Sequence, residues 1–374
     1  MITSLAPREI GQAGLLTAVF AIAASWPLAA QVDVNCIGNV SDTTRLNKAI
    51  AASSMGDEIR VHGTCLVNAT IVLDGNRSYV GDSRTGTIIR QFPSSNLTAL
   101  LASDSWNSDS PYTGDPIRIA HLTLDGNAAS NSNTSALVIR SWLTVIEDLQ
   151  VENAPADGIQ ITNLSKSGVP LQTSQVNGRI SDCFVTNSGG NGIHVVDTGN
   201  SVTDWDLLDS WVAVSGQSAI SMDNIAGWKV VGNHLYGVQR NALYGNNCFA
   251  TTIANNYVED FGDSGGSGNT WYGIACTVQG GAVSVISGNR VFMFVPEHGT
   301  STFVYVGVPQ VNYGVGQMNV EDNTIRGADG PSDIGLSYRL DGGNGLNVLS
   351  SGNNVQSVKT ARLVGAGVTL VQGF

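Results

Sequence analysis

A six-residue phrase that recurs nine times constrains the fold of this chain more than any other sequence feature. Eight copies begin and end with an apolar residue, and the fourth position is asparagine in the last five copies. Short strands repeating every 23 to 34 residues or so, with no helical pattern between them, predict a solenoid. The copies begin at Ile119, Ile146, Ile180, Leu207, Val230, Ile253, Ile286, Val320 and Ser350.

The recurrent asparagines indicate which kind of solenoid forms. In a parallel β-helix each coil lies about 4.8 Å above the last, so equivalent positions form columns. Asparagine tolerates the left-handed backbone of a tight turn, and stacked amides can hydrogen-bond from coil to coil. Glycine- and asparagine-rich loops between ordinary strands are the alternative, but they do not explain the constant register. The five residues are Asn233, Asn256, Asn289, Asn323 and Asn353.

A second phrase falls between the repeats and predicts another strand in each coil. An inward Ile or Leu is followed by an outward residue and a further inward one. The outward residues then form a column on one face, and the residue two places before each inward Ile or Leu forms another. The outward column contains Gln160, His194, Ser221, Tyr244 and Ala275; the other contains Asp157, Asn191, Ser218, Asn241 and Tyr272.

With these two phrases the chain resembles the pectate-lyase-like superfamily of right-handed parallel β-helix proteins. The stretch 57–90 reads like the first coils of that superfamily, with short strands around a Gly-Thr turn and a Tyr79-Val-Gly-Asp motif. The resemblance covers about residues 40–370. It implies an all-β, single-stranded right-handed parallel β-helix with a short N-terminal capping helix, and it specifies the fold more than any one activity.

The chain divides into three segments. Residues 1–30 combine an early arginine, an apolar run and a small-residue end, which predicts a secretory signal peptide; an uncleaved anchor is the alternative. Residues 31–56 hold a short amphipathic helix that covers the N-terminal end, and residues 57–374 form the β-helix domain. We therefore expect a secreted or periplasmic protein with no membrane span after cleavage.

Composition limits the partners and the cysteine chemistry. The net charge of −12 argues against nucleic acid as a partner. Of the five cysteines, Cys36 and Cys65 flank the predicted helix and first strand, and a bridge there would fix the N-terminal end. Cys183 replaces Leu or Asn in its column, so we expect it in the core.

Insertions in three coils predict a groove over the face that carries the outward column. They lie at 163–170, 262–269 and 295–300, on both sides of that face, and loops on a rigid scaffold often carry function. Such an elongated groove fits an extended polysaccharide. The aromatic residues of this groove, Tyr244, Trp271 and Tyr272, either support sugar rings or only stack along the solenoid. Expected substrate-binding residues are Gln160, Asn191, Arg240, Tyr244, Trp271 and Tyr272.

The known chemistries of this superfamily are only partly matched. Its pectin hydrolases carry an Asp where Asp157 stands, but Asn191 and Ser218 replace their acidic pair and histidine, so that activity is not supported. Its lyases use a basic residue, often with Ca²⁺ bridging acidic groups. Arg240 and Arg339 are the basic candidates near the groove. Ca²⁺ is therefore the one cofactor considered, no cofactor is certain, and no metal ligand is assigned.

Candidate catalytic residues come from two places. His194 and Asp223 are one coil and two positions apart, about 8 Å between backbones, so their side chains could meet, whereas Asp157 is too far from Asp223 to form a pair of catalytic carboxyls. Loop insertions contribute a second set on one wall. The candidates are Asp157, His194, Asp223, Asp263, Glu297 and His298, with Asp260 beside the wall.

These observations predict a secreted carbohydrate-active enzyme that cleaves or rearranges glycosidic bonds of a polysaccharide, with hydrolase and lyase both open. The alternative is a non-catalytic glycan-binding or adhesion protein of the cell surface. A phage-type tail spike is disfavoured by the signal peptide. The solenoid is expected as a monomer or as a side-by-side homotrimer.

Overall fold

The computed structural model describes residues 30–264, 267–295 and 300–371. Within these residues the chain forms a right-handed parallel β-helix in which successive coils contribute strands to three faces. Nearly all of the predicted signal peptide, residues 1–29, lies outside the described residues, as do residues 372–374. In the described part, no helix is long and apolar enough to cross a membrane.

The first and second faces form one 23-stranded sheet, because the strand Glu58–Val67 runs through the corner between them. The other strands of the first face are Gln31–Asn35, Arg77–Gly81, Ile117–Ala120, Val145–Glu147, Arg179–Ser181, Asp206–Leu208, Lys229–Val231, Thr252–Ala254, Val283–Ser287, Val315–Glu321, Gly345–Ser351 and Val368–Val371. Those of the second face are Thr87–Gln91, Thr123–Asp125, Gln150–Glu152, Phe184–Thr186, Trp211–Ala213, His234–Val238, Tyr257–Phe261, Arg290–Phe292, Thr324–Arg326 and Asn354–Gln356.

The third face is a 12-stranded sheet built from the second sequence phrase and its neighbours. Its strands are Ile71–Leu73, Ala99–Ser103, Ser135–Ile139, Ile159–Thr162, Ile193–Val196, Ile220–Met222, Leu243–Cys248, Ser267–Gln279, Thr300–Val308, Val311–Tyr313, Asp333–Tyr338 and Thr360–Val364. A separate pair, Gln175–Val176 with Val202–Thr203, lies on the path from the third face back to the first.

The N-terminal end is covered as predicted. The helix Ser41–Ala52 buries Leu46 and Ile50, and a second short helix spans Asp104–Asn107. The buried Asp42 carboxylate accepts backbone N–H groups of the preceding turn and of Leu66 in the first long strand, which ties the helix to the solenoid.

Four of the five cysteines form disulfides within the described residues. The predicted Cys36–Cys65 bridge is confirmed, and Cys183 is a free, buried thiol. A second bridge, Cys248–Cys276, was not predicted; it joins two neighbouring strands of the third face.

The asparagine column forms the predicted ladder at the corner between the first and second faces. The Nδ2 of each of the first four asparagines donates to the Oδ1 of the next one, at 3.0 Å from Asn233 to Asn256 and at 2.9 Å from Asn323 to Asn353. The same Nδ2 groups also donate to main-chain carbonyls, as from Asn256 to Val230 at 2.9 Å. The ladder satisfies polar groups that would otherwise be costly to bury.

The left-handed residue of this corner lies one position before the asparagine, which corrects the expectation that the asparagine itself would adopt it. That preceding residue has positive φ in every copy of the phrase. An Asp or Asn side chain at this position points at the same position of the next coil. Each glycine of the column follows such a residue, because there is no space for a side chain: a Cβ on Gly232 would lie 2.2 Å from Asp209 Oδ1. The residues are His121, Asp148, Asp182, Asp209, Gly232, Asn255, Gly288, Asp322 and Gly352.

Candidate active site

The third face carries the outward column that the sequence predicted. Strand register places Gln160 beside His194, His194 beside Ser221, Ser221 beside Tyr244 and Tyr244 beside Ala275. The inward neighbours, such as Ile193 and Ile220, are fully buried, so the alternation of the second phrase is what turns these side chains outward.

The imidazole of His194 is bonded to Asp157, which lies in the turn before the strand Ile159–Thr162 of the preceding coil. Its Nδ1 lies 2.7 Å from Oδ2 of Asp157. Oδ1 of the same carboxylate accepts the backbone N–H of Asn191 at 2.7 Å and its Nδ2 at 3.2 Å. Asp157 is thus bound on both oxygens and fixes the orientation of the imidazole, which leaves Nε2 as the atom available to a substrate.

The surroundings of His194 favour its charged form. Burial alone would lower the pKa of the imidazole, but the hydrogen bond and charge of Asp157, helped by the charge of Asp223, raise it above the usual histidine value. An imidazole held in this way is a stronger base once deprotonated, which suits proton transfer.

Asp223 lies on the other side of His194, one coil further on, close enough for its charge to act on the imidazole. The direct contact expected between the two side chains stays a prediction. Burial raises the pKa of Asp223 above that of an ordinary carboxyl, although the charge of His194 and a hydrogen bond from Asn246 act in the opposite direction. The charge of Asp197 also raises that pKa, and this carboxylate accepts three backbone N–H groups. Asp157 lies on the far side of His194 and is bonded to the imidazole.

Two tyrosines continue the site along the solenoid. The rings of Tyr244 and Tyr272 meet edge to face with centroids 5.9 Å apart. Burial raises the pKa of both phenols, with a further contribution from Asp223 at Tyr244. Tyr272 lies across Gly307, where a Cβ would come within 3.0 Å of the ring. Both hydroxyls therefore remain protonated near neutral pH and can act as proton donors.

The small Ser221 creates a notch between the two reactive side chains. His194 and Tyr244 lie on strands two coils apart, roughly 10 Å, with only Ser221 between them in the outward column. Asp223 follows the Ser221 strand directly, at the edge of this notch. The outward column thus presents an imidazole and a phenol on either side of Ser221, with the carboxyl of Asp223 beside them.

A buried arginine holds the wall formed by the 163–170 insertion. Arg140 is fully buried, and its guanidinium donates to the carbonyl oxygens of Asn163 at 3.2 Å and Val169 at 3.0 Å. It also donates to the carbonyls of Ser105 and Ser110. The insertion is therefore anchored to the scaffold.

The opposite wall differs from the loops predicted there. The insertion after Gly262 soon becomes the strand Ser267–Gln279, which pairs with Thr300–Val308. Asp260 is buried and accepts the backbone N–H groups of Phe294 at 2.7 Å and Val295 at 3.0 Å, so it supports the base of this wall. Asp263 is exposed on the wall. Glu297 and His298 lie outside the described residues, and the catalytic role suggested for this group stays a prediction.

The remaining expected substrate-binding residues occupy different positions. Gln160 is one coil before His194 in the outward column. The side-chain amide of Asn191 donates to the Asp157 carboxylate. Arg240 is exposed at the start of the Tyr244 coil. Trp271 packs partly buried against the core rather than standing beside Tyr244. Arg339 lies close enough to Tyr272 to influence its pKa and pairs with Asp341 at 2.9 Å.

The sequence did not predict a polar cluster near the C-terminal ends of two third-face strands, Leu243–Cys248 and Ser267–Gln279. Asn247 N–H donates to Thr277 Oγ1 at 2.9 Å, and Thr277 Oγ1 donates to Asn246 Oδ1 at 2.7 Å. The amide of Asn312, from the short strand Val311–Tyr313 two coils after Asn246, donates to all three of these residues. Regular coil spacing predicts that Asp223, Asn246 and Thr277 lie in one column. It does not predict that Asn312 lies beside them.

No group of three or more His, Cys, Asp or Glu side chains converges as a cation site among the described residues. The Asp157 carboxylate is committed to His194 and Asn191, so this pair is suited to proton transfer rather than to holding an ion.

Comparison with known proteins shows the fold. The A-module of Mannuronan C-5 epimerase AlgE6 from Azotobacter vinelandii superposes with a TM-score of 0.59 at 16% identity, covering 91% of this chain and 100% of that one. The Dettilon tailspike protein gives 0.59 at 12% identity, over 89% of this chain and 68% of that one. The Agl-KA catalytic domain gives 0.56 at 12% identity, over 92% and 68%.

These likenesses confirm the right-handed parallel β-helix that the resemblance to the pectate-lyase-like superfamily implied. No family model matches the sequence. No curated protein matches it either.

Proposed function

We propose that this chain is a secreted, carbohydrate-active β-helix enzyme that transfers a proton at a uronic-acid residue of an acidic polysaccharide, by β-elimination or C5 epimerisation. The observation that carries the proposal is the Asp157–His194 pair at 2.7 Å, which shares the outward column with Tyr244 and has only Ser221 between them. An oriented imidazole and a protonated phenol on two sides of one sugar are the base and the acid that this chemistry requires.

In the elimination, His194 Nε2 removes the proton from C5, and the electron pair forms the C4–C5 double bond. The bond from C4 to the bridging oxygen breaks, and that oxygen takes a proton from Tyr244. The charge of Asp157 stabilises the imidazolium that forms at His194. In the epimerisation, His194 keeps the proton it removed, the carbanion at C5 takes a proton from Tyr244 on the opposite side, and the C4–O bond stays intact.

A hydrolase fits the site less well. Hydrolysis needs two carboxyls roughly 5 to 10 Å apart, one on each side of the bond. Asp223, with its raised pKa, could act as the acid. Its neighbouring carboxylate, Asp197, is engaged by the backbone N–H groups of Gly199, Ser201 and Val202, and Asp157 is bonded to His194 on the far side of that imidazole.

The structural neighbours support the same class. One is by name a mannuronan C-5 epimerase and another a catalytic domain. The net charge of −12 opposes binding of a polyanion, so cations in solution, Ca²⁺ included, would be needed to screen the repulsion. A glycan-binding or adhesion protein is the alternative, and it would use the same groove without turnover.

The test is an assay of purified protein on neutral and acidic polysaccharides, with Ca²⁺ or EDTA. Absorbance near 235 nm and reducing ends are followed together, and C5 configuration is read by NMR. The proposal expects unsaturated ends or inverted residues on uronic-acid polymers alone. Reducing ends without absorbance on any polymer would indicate a hydrolase, and binding without turnover would indicate the adhesion protein.

A further inference from the structure

The strand that carries Tyr244 contains a β-bulge beside the candidate active site. Gly245 pairs with Cys276 and Cys248 pairs with Val278, so Asn246 and Asn247 together oppose the single residue Thr277. Asn247 has a φ of 56°, in the left-handed region. Such bulges bend a strand and redirect its side chains, and they are frequent next to active sites.

The bulge fixes which way the Asn246 amide points. Its Oδ1 accepts hydrogen bonds from Thr277 Oγ1 at 2.7 Å and from Asn312 Nδ2 at 3.2 Å. With the oxygen held on that side, the Nδ2 group is directed away from it. Met222 pairs with Gly245, so Asn246 lies beside Asp223 on the neighbouring coil, where its amide lowers the pKa of that carboxyl. Asp223 is the residue whose charge acts on His194 from the side opposite Asp157.

The disulfide Cys248–Cys276 closes the bulge. Cys276 pairs with the residue before the bulge, and Cys248 is the first residue after it, so the bridge crosses the irregularity diagonally. Both sulfurs are buried beneath the face, and a Cβ on Gly245 would lie 3.2 Å from Cys248 Sγ. The extra residue therefore cannot migrate along the strand without straining a covalent link.

We propose that this disulfide-clamped bulge is a positioning device for Asp223: the Cys248–Cys276 bridge and Thr277 hold Asn246 so that its amide keeps the Asp223 carboxyl opposite His194. The effect of this device on turnover rests on the proposed function, whereas the positioning of Asp223 does not. Asn246, Thr277 and both cysteines are positioning residues, since they act on the reacting groups through Asp223.

The chain offers a matched control for the test. The two disulfides close loops of nearly equal length, with sequence separations of 28 and 29, so their removal releases a similar chain entropy. C248A/C276A opens the bulge, and C36A/C65A opens only the N-terminal end. Equal losses of thermal stability are expected in the two variants.

The readout is the pKa of His194, followed by NMR and assigned by its loss in H194Q. The charged groups facing His194 are Asp157 and Asp223, and those facing Asp223 are His194 and Asp197, with Tyr244 beside it. Because Asp223 raises the pKa of His194, its displacement in C248A/C276A should lower that pKa while C36A/C65A leaves it unchanged. An unchanged His194 pKa in both variants would overturn the proposal.

Turnover separates this inference from the proposed function. On an active polysaccharide, kcat of C248A/C276A should fall about tenfold, with KM changed less, and C36A/C65A should retain kcat. A selective pKa change with an inactive wild type would uphold the positioning device and reject the proposed function. If the wild type is active and the two disulfide variants have the same His194 pKa and the same kcat, the proposed function stands and the positioning device is rejected. Should C248A/C276A fail to fold, T277V removes the bulge's bridging hydroxyl, and T252V on the first face is its control.

Discussion

Asp157 and His194 are separated by 37 positions in the chain, yet their side chains meet at 2.7 Å because consecutive coils lie side by side. The carboxylate is held in turn by the backbone N–H of Asn191, so the pair is part of the scaffold and not a chance surface contact. This relationship organises the site: it orients the imidazole toward the notch at Ser221 and raises its pKa.

Replacing the carboxylate should change the pH dependence of turnover. In D157N the imidazole loses its largest favourable interaction, so the pKa of His194 falls. Since the active base is the neutral imidazole, the acid limb of the kcat profile moves to lower pH, while the maximal kcat falls about tenfold or more because the weaker base reacts more slowly. D206N, on the first face beside Lys229, should leave the profile in place. An acid limb at the same pH in D157N and wild type would contradict this role.

The asparagine ladder should dominate the stability of the corner it occupies. Asn256 donates to Val230 O and Asn289 Oδ1, and it accepts from Asn233. N256A leaves these buried groups without partners and should cost about 3 kcal/mol in the free energy of unfolding, measured in urea. N354A, an exposed position on the second face, should cost less than about 0.5 kcal/mol. Equal losses would show that the ladder is not stabilising.

At one left-handed corner position, Gly288, glycine should be required for space as well as for backbone angle. Gly288 has a φ of 65°, and a Cβ there would lie 2.5 Å from Asn255 Oδ1. Gly237 has a φ of 58° with nothing within 4 Å. G237A measures backbone strain alone, about 1 to 2 kcal/mol, and G288A should lose at least about 1 kcal/mol more. Similar losses in both would mean that the Asn255 side chain moves aside freely.

Asp333 should make the fold less stable as the pH rises. Burial raises the pKa of this carboxyl to about 6, and its Oδ1 lacks a hydrogen-bond partner. The folded state holds the proton more tightly than the unfolded chain, so its contribution is fully present below about pH 4 and is lost as the pH rises through 6. D333N should therefore gain on the order of 2 kcal/mol over wild type at pH 7 and little at pH 4. Urea unfolding at the two values tests this, and an equal effect at both would refute it.

Charge screening should help turnover. With a net charge of −12, the protein repels a uronic-acid polymer, and repulsion between exposed charges weakens as salt is added. KM should fall between 10 and 150 mM NaCl, while kcat changes little. A rise in KM over that range would indicate that local positive charge, such as that of Arg240, governs binding instead.

The fold and the outward column could be predicted because both follow from strict periodicity. A side-chain period of two and a constant coil spacing place Gln160, His194, Ser221 and Tyr244 in one line without any further information. The asparagine register does the same for the ladder.

What escaped prediction lies where the periodicity breaks. Asp157 belongs to a turn, so counting 3.3 Å per residue along a strand did not anticipate its contact with His194. The Asn246–Asn247 bulge shifts the strand register by one residue, and no local sequence pattern predicts this shift. The Cys248–Cys276 bridge depends on it. Asn312 reaches the cluster from two coils away.

The central claim is that His194 removes a proton from C5 of a uronic-acid residue. The most direct measurement is to incubate wild type and H194Q with uronic-acid polymers in D₂O, following absorbance near 235 nm and deuterium at C5 of uncleaved residues. The account predicts that one of the two signals rises in the wild type and falls by about 10²-fold or more in H194Q. Equal rates in both proteins, or bond cleavage with neither signal, would contradict it.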